Sequence, residues 1–246
     1  MTRRLAAAGC IAADHEAAVL VGTAAGDRER LEGMVRRREA GEPFAWIAGG
    51  VMFCGRPMAV DQGVFVPRPQ TEELARRAAT LLPEHGRAVD LCTGSGAVAA
   101  HLGVTVAGAT VVAVDIDPRA VACARRNGVA AVCGDLGAPL RGASFDVVTA
   151  VAPYVPTGSL RLLPADVQRH EPVRALDGGH DGLRVVARLI DDAARLLQPG
   201  GSLLLEVGGD QEEAVAALLA SAPFVRVAPW HDEVGDLRGV HAVVVG

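Results

Sequence analysis

The 246-residue chain has no lysine: its 24 basic side chains are all arginine, set against 29 acidic ones for a net charge of −5. Broad binding to a nucleic-acid duplex needs a basic face, so stable nucleic-acid binding is not expected. The arginine triplet Arg36, Arg37 and Arg38 is read as a solvated helix face. Aromatic residues make up only 3% of the chain while half of it is hydrophobic, so the core must be aliphatic. The five cysteines (10, 54, 92, 123 and 133) form no C-x-x-C pair. That argues against a disulfide framework or a zinc site and for reduced thiols in the cytoplasm. An export signal is not expected either, because Asp14, His15 and Glu16 break the N-terminal apolar run early. Residues 97–114 carry no Asp, Glu or Arg, but Gly103 and Gly108 interrupt them. They are read as a helix and a buried strand, not as a membrane span.

What is present has a clear order. Residues 1–50 read as a small helical domain, in which Leu31, Met34 and Val35 share a face. Residues 51–70 read as a hairpin linker, two short apolar runs around Gly55-Arg56-Pro57. Thr71 is the expected N-cap of the next helix, with Leu74, Ala78, Leu81 and Leu82 as its buried stripe. From there to residue 246 strands and helices alternate. Strands are expected at 87–92, 110–115, 129–133, 145–151, 201–207 and 239–245, with a weaker one near 224–229. Helices are expected at 96–102, 118–126, 182–197 and 210–220. Such alternation predicts an α/β, Rossmann-like fold with a mostly parallel sheet covered on both faces.

The chemistry begins at Asp90-Leu-Cys92-Thr93-Gly94-Ser95-Gly96, which follows a strand and opens a helix. A second strand then ends at Asp115, close to the roughly 20 residues that separate a glycine turn from a ribose-binding acid. No Gly-Lys-Ser/Thr is present, which argues against nucleoside triphosphate hydrolysis. The turn fits S-adenosylmethionine better than a dinucleotide, because that ligand has no pyrophosphate. Asp135, followed by Leu136, stands after the third strand and is read as an adenine contact. Cys92 is read as a small apolar filler of the turn. His231, Asp232 and Glu233 lack metal-ligand spacing, and no metal is expected.

One strand further on, Val151-Ala152-Pro153-Tyr154 leaves the sheet at the same edge. Methyltransferases acting on planar nitrogen carry Asn-Pro-Pro-Tyr or a close variant there. The nitrogen lone pair is delocalised, so two acceptors are needed to orient it and to favour charge building on nitrogen. With these residues the chain resembles the HemK/PrmC family of release-factor glutamine methyltransferases. Phe65-Val-Pro67-Arg68-Pro-Gln70-Thr71-Glu72 is similar to its Pro-Arg-Pro-Glu-Thr-Glu signature, and Ala40–Gly49 and Phe53–Pro57 to its inter-domain segment. His170–Leu183 and Leu197–Gly208 match two further blocks. The resemblance implies a class I S-adenosylmethionine-dependent enzyme whose partner is a peptide chain release factor, methylated on the glutamine of a Gly-Gly-Gln loop. It also implies that Phe65, Pro67, Arg68, Gln70 and Thr71 meet the substrate.

The chain departs from the family at three residues and in the length of its N-terminal part. Val151 replaces the Asn and offers no side-chain acceptor. Ala152 replaces the first Pro but keeps its carbonyl. Gln70 replaces a Glu. The N-terminal helical part, about 50 residues, is shorter than the family's. His170, Glu171 and Gln70 are candidates for a replacement acceptor.

Overall fold

A computed structural model describes residues 1–246. Four helices come first: α1 (Thr2–Ala7), α2 (Ala13–Ala24), α3 (Arg28–Glu39) and α4 (Phe44–Ala48). They enclose their own apolar cluster, built from Leu5, Leu20, Met34, Val35 and Ile47. Two of the three arginines of the triplet are paired: Arg37 with Glu42, and Arg38 with Glu16 at 2.8 Å. The expected hairpin follows as β1 (Gly50–Phe53) and β2 (Arg56–Ala59).

The alternating region then supplies α5 (Thr71–Leu81), β3 (Arg87–Leu91), α6 (Ala97–Thr105), β4 (Thr110–Asp115), α7 (Pro118–Arg126), β5 (Ala130–Cys133) and β6 (Phe145–Ala150). Short elements that the sequence did not announce come next: β7 (Val155–Pro156), α8 (Ala165–His170) and β8 (Asp177–Gly179). The chain closes with α9 (Arg184–Leu196), β9 (Leu197–Glu206), α10 (Glu212–Ser221), β10 (Phe224–His231) and β11 (Leu237–Val244).

Seven strands form one sheet in the order β10-β11-β9-β6-β3-β4-β5. The five strands from β9 to β5 are parallel, and β11 runs antiparallel to both of its neighbours. Side chains alternate between two covered faces. Ala88, Val147 and Leu204 pack beneath α5 and α6 on one face. Val89, Leu91, Val148, Leu203 and Leu205 pack on the other, against residues of α9 such as Leu189 and Ile190. Burial on both faces is why the strands read as unbroken apolar runs.

Two local expectations fail at α5. Gln70, not Thr71, is the N-cap, and it makes no side-chain cap bond. Thr71 is the first helical residue, and its hydroxyl is drawn inward to Glu206. Leu81 is 39% exposed, because the chain turns out of the helix at Leu82, which takes the buried place instead. No helix is long and apolar enough to cross a membrane.

Candidate active site

Strand order reverses between β3 and β6: β4 and β5 lie to one side, β9 and β11 to the other. Ligands of open α/β sheets sit at such a reversal, outside the carboxyl ends of the strands. The glycine turn leaves β3 here, and Val151–Tyr154 leaves β6 beside it.

The turn is held from below. Thr93 N–H donates to the Val114 carbonyl at 3.1 Å, tying the turn to β4. Asp90 is fully buried and accepts from the hydroxyls of Thr93 (2.5 Å) and Thr149 (2.7 Å). Burial pushes its carboxyl up to about 6, and the two hydroxyls and a backbone N–H offset only part of that. The Asp115 carboxylate accepts from the N–H of Gly94 at 2.8 Å and of Asp117 at 2.9 Å. One lone-pair site on each oxygen remains, the pair of acceptors that two ribose hydroxyls require. Its carboxyl is also raised by burial. Burial raises the Cys92 thiol as well, so it is held neutral, as expected of a filler.

The two glycines of the turn serve different ends. A Cβ on Gly96 would stand 2.9 Å from the Cβ of Ala124, so this glycine lets α6 and α7 pack. Gly94 has φ +56° and nothing within 4 Å of where a Cβ would be, because it faces the cleft. That opening is the space a ligand's backbone-contacting edge needs.

Two clefts converge above these strands. The first, a narrow one, is lined by residues 90, 92–95, 115–117, 151 and 153, roofed by Val64, Phe65, Pro67, Pro172 and Arg174. The second, the wider of the two at about 880 Å³, runs between the N-terminal helices and the β6 loop, past Arg68, Gln70, Ala152, Tyr154 and Asp166. Phe65, Val151 and Ala175 line both. The β6 loop is therefore the sill between a narrow cleft over the glycine turn and a wider groove.

Four polar clasps hold this sill and its roof, and three of them rest on residues with no signal in the sequence, Asn127, Glu206 and Gln211. Asn127, the chain's one asparagine, accepts from Ala59 N–H at 2.9 Å and donates to the carbonyls of Ala59 (2.9 Å) and Ser95 (2.8 Å), pinning the hairpin to the turn. Glu206 accepts from the hydroxyls of Thr71 (2.7 Å) and Tyr154 (3.2 Å). Gln211 Nε2 donates to the Tyr154 carbonyl at 2.9 Å. Glu171, with a side chain only 1% exposed, takes the Arg68 guanidinium at 2.6 Å. Burial raises the Glu171 carboxyl and Arg68 draws it back. Arg68 also lies 4.7 Å over the Phe65 ring, fixing that wall of both clefts.

Comparison with known proteins agrees with this geometry. Residues 89–155 match the family model described as a methyltransferase domain. A release factor glutamine methyltransferase of Moorella thermoacetica is 40% identical over 243 residues, covering 88% of this chain and 86% of the relative. The chain belongs to the release factor glutamine methyltransferase family. Its methyl donor is S-adenosylmethionine. The family relationship reaches further than one named reaction. A 4-amino-L-phenylalanine/4-methylamino-L-phenylalanine methyltransferase of Streptomyces pristinaespiralis is 39% identical, covering 75% of this chain and 67% of the relative. The Mtq2–Trm112 complex of E. cuniculi has the same fold, with a TM-score of 0.58 and 24% identity over 75% of this chain and 99% of that one.

The residues singled out from sequence do not all meet in this methyltransferase's cleft. Asp90, Cys92, Thr93, Gly94, Ser95 and Asp115 line it, and Gly96 stands behind the turn. Asp135 and Leu136 do not: Asp135 pairs with Arg188 at 2.7 Å on the surface, and Leu136 is buried in the core. Phe65, Pro67 and Thr71 line the narrow cleft, Arg68 and Gln70 the wider groove. Of the candidate replacement acceptors, Glu171 is consumed by Arg68, and the His170 ring meets Trp46 edge-on at 6.3 Å. His231 and Asp232 are engaged by Glu212 and Arg238, away from the site.

Proposed function

We propose that this chain transfers the methyl group of S-adenosylmethionine to the side-chain amide nitrogen of the Gly-Gly-Gln glutamine of a peptide chain release factor. The observation that carries this is the shared sill. A loop in the position of the family's acceptor loop separates the cleft over the glycine turn and Asp115 from a wider groove that runs along the N-terminal helices. In this reading Asp115 holds the ribose, Asp90 and the Thr93–Gly96 backbone hold the amino-acid end, and Ala152 and Tyr154 face the acceptor. The sulfonium supplies an electrophilic methyl carbon. The protein's part is to hold the amide nitrogen in line, with the Ala152 carbonyl, which takes no hydrogen bond within the chain, accepting one N–H. The apolar walls of Phe65, Val151 and Pro153 exclude water from the methyl path. The helices α1–α4 act as a separate substrate-gripping domain on the far wall of the groove. The reaction belongs in the cytoplasm, where release factors work and where five unbridged thiols stay reduced.

Val151 and the Streptomyces pristinaespiralis relative favour a second reading, transfer to a small arylamine. An arylamine nitrogen is less delocalised than an amide and needs fewer acceptors, and an apolar Val151 suits a ring. Labelled S-adenosylmethionine incubated with this protein and a release factor, and separately with an arylamine amino acid, tests both. Label on the Gly-Gly-Gln glutamine supports the first reading, and label on the arylamine alone supports the second. Cofactor binding without label on either acceptor or on cell extract refutes both and leaves a binding protein.

A further inference from the structure

Beneath the acceptor loop lies a carboxylate with no assigned part in the reaction. Glu206 ends β9, is 3% exposed, and lines neither cleft. It cannot touch a substrate. Both of its oxygens are nevertheless occupied, one by the hydroxyl of Thr71 and the other by the hydroxyl of Tyr154. These partners belong to the two segments that wall the site. Thr71 begins α5 directly after the Pro67–Gln70 stretch that lines both clefts. Tyr154 ends the loop whose Val151 is the sill.

We propose that Glu206 is the positioning residue of the acceptor loop, an inference that rests on reading Val151–Tyr154 as that loop. Its carboxylate joins the loop, the start of α5 and the central sheet into one rigid unit. The other end of Tyr154 is fixed independently, since Gln211, itself buried, donates to its carbonyl. The tyrosine is thus held at the hydroxyl by Glu206 and at the backbone by Gln211. The Ala152 carbonyl, two residues back, is then set in place without a side-chain anchor of its own. This matters more here than with an asparagine in the loop. Val151 contributes no hydrogen bond to orient the acceptor, so the position of the remaining carbonyl must do more of the work. A misplacement near 1 Å costs up to about a hundredfold in rate.

The test uses the full chain with Glu206→Leu, which removes both acceptors, and Glu206→Gln, which keeps one and replaces the other with a donor that either hydroxyl oxygen can accept. Three readouts are taken: S-adenosylmethionine Kd, kcat on the acceptor that the wild type labels, and hydrogen exchange at residues 71–74 and 151–156. Glu206→Leu is expected to lower kcat by about ten- to a hundredfold with Kd changed less than about threefold. It is also expected to raise exchange in both segments together, and Glu206→Gln to recover most of the rate. Unchanged exchange in both segments, loosening of only one, or a kcat loss matched by an equal loss of cofactor binding would overturn the proposal. The exchange readout needs no acceptor. If the wild type methylates no release factor, the functional reading fails while the clasp is still judged.

Discussion

Placing an asparagine at Val151 is the most direct probe of the proposed acceptor loop. Val151 is half-buried, lines both clefts and packs at the edge of the core cluster beneath α5 and α6. A group aimed at transition-state charge is worth about a hundred- to a thousandfold in rate, or roughly 3–4 kcal/mol. Val151→Asn replaces one such acceptor, but Ala152 and Gln70 remain as departures, so only part of that sum returns. A gain of about tenfold in glutamine methylation is expected, equivalent to about 1.4 kcal/mol of barrier. Against it stands the loss of two half-buried methyl groups, about 1 kcal/mol of stability. For a chain of this size that is a drop of about 2–4 °C in Tm. The assay is the initial rate of labelled methyl transfer to an intact release factor at saturating S-adenosylmethionine, with melting measured in parallel. An unchanged or lower rate, with Tm within those few degrees, would refute the account of the loop.

The two turn glycines should separate binding from folding. Gly94→Ala puts a methyl into the open cleft and costs about 1 kcal/mol for its φ, so cofactor binding is expected to collapse while melting shifts little. Gly96→Ala drives a Cβ to 2.9 Å from Ala124 and should lower Tm strongly; equal effects of the two would contradict this division. Asp90 links the site to pH. Its carboxyl rises from an ordinary 3.8 to about 6, so folding favours its protonated form and stability falls as pH rises between those values, by on the order of 3 kcal/mol. With Asp90 holding the amino-acid end of the cationic cofactor, as proposed, binding needs its ionised form, so the Kd, followed by calorimetry, should rise up to about tenfold per pH unit below 6; a flat profile, or one unaltered in Asp90→Asn, would remove Asp90 from the site. Finally, Arg68→Ala leaves Glu171 buried and unpaired, at a cost of about 3 kcal/mol in denaturant unfolding. Arg68→Ala with Glu171→Gln should cost less than Arg68→Ala alone, and a larger loss in the double variant would show that the pair is not coupled.

The strand–turn–helix–strand of residues 87–115 was legible because its signals are local: an apolar run, a glycine turn, and an acid at fixed spacing on the next strand. The same holds for α7, with Asp117 as its N-cap and Pro118 at its first position. Thr71 shows where locality misleads. Its hydroxyl has the chemistry of a cap, but a buried carboxylate 135 residues away offers a better partner than an exposed helix start. Asp135 adds a partner that no local pattern announces: its carboxylate, just after a strand, pairs with Arg188 on α9, 53 residues away.

The amino-acid sequence by itself determined the α/β order, the covered sheet, the cofactor turn and the family, because periodicity, spacing and motif are properties of neighbours along the chain. Tertiary structure alone decided how the β6 loop and the clefts beside it are held. Arg68 and Glu171 are 103 residues apart, Tyr154 and Glu206 are 52 apart, and Asn127 reaches back 68 to Ala59. No local pattern marks such pairs. Each forms only once the sheet reversal has brought distant segments to one edge, where burial makes an unpartnered polar group too costly to leave.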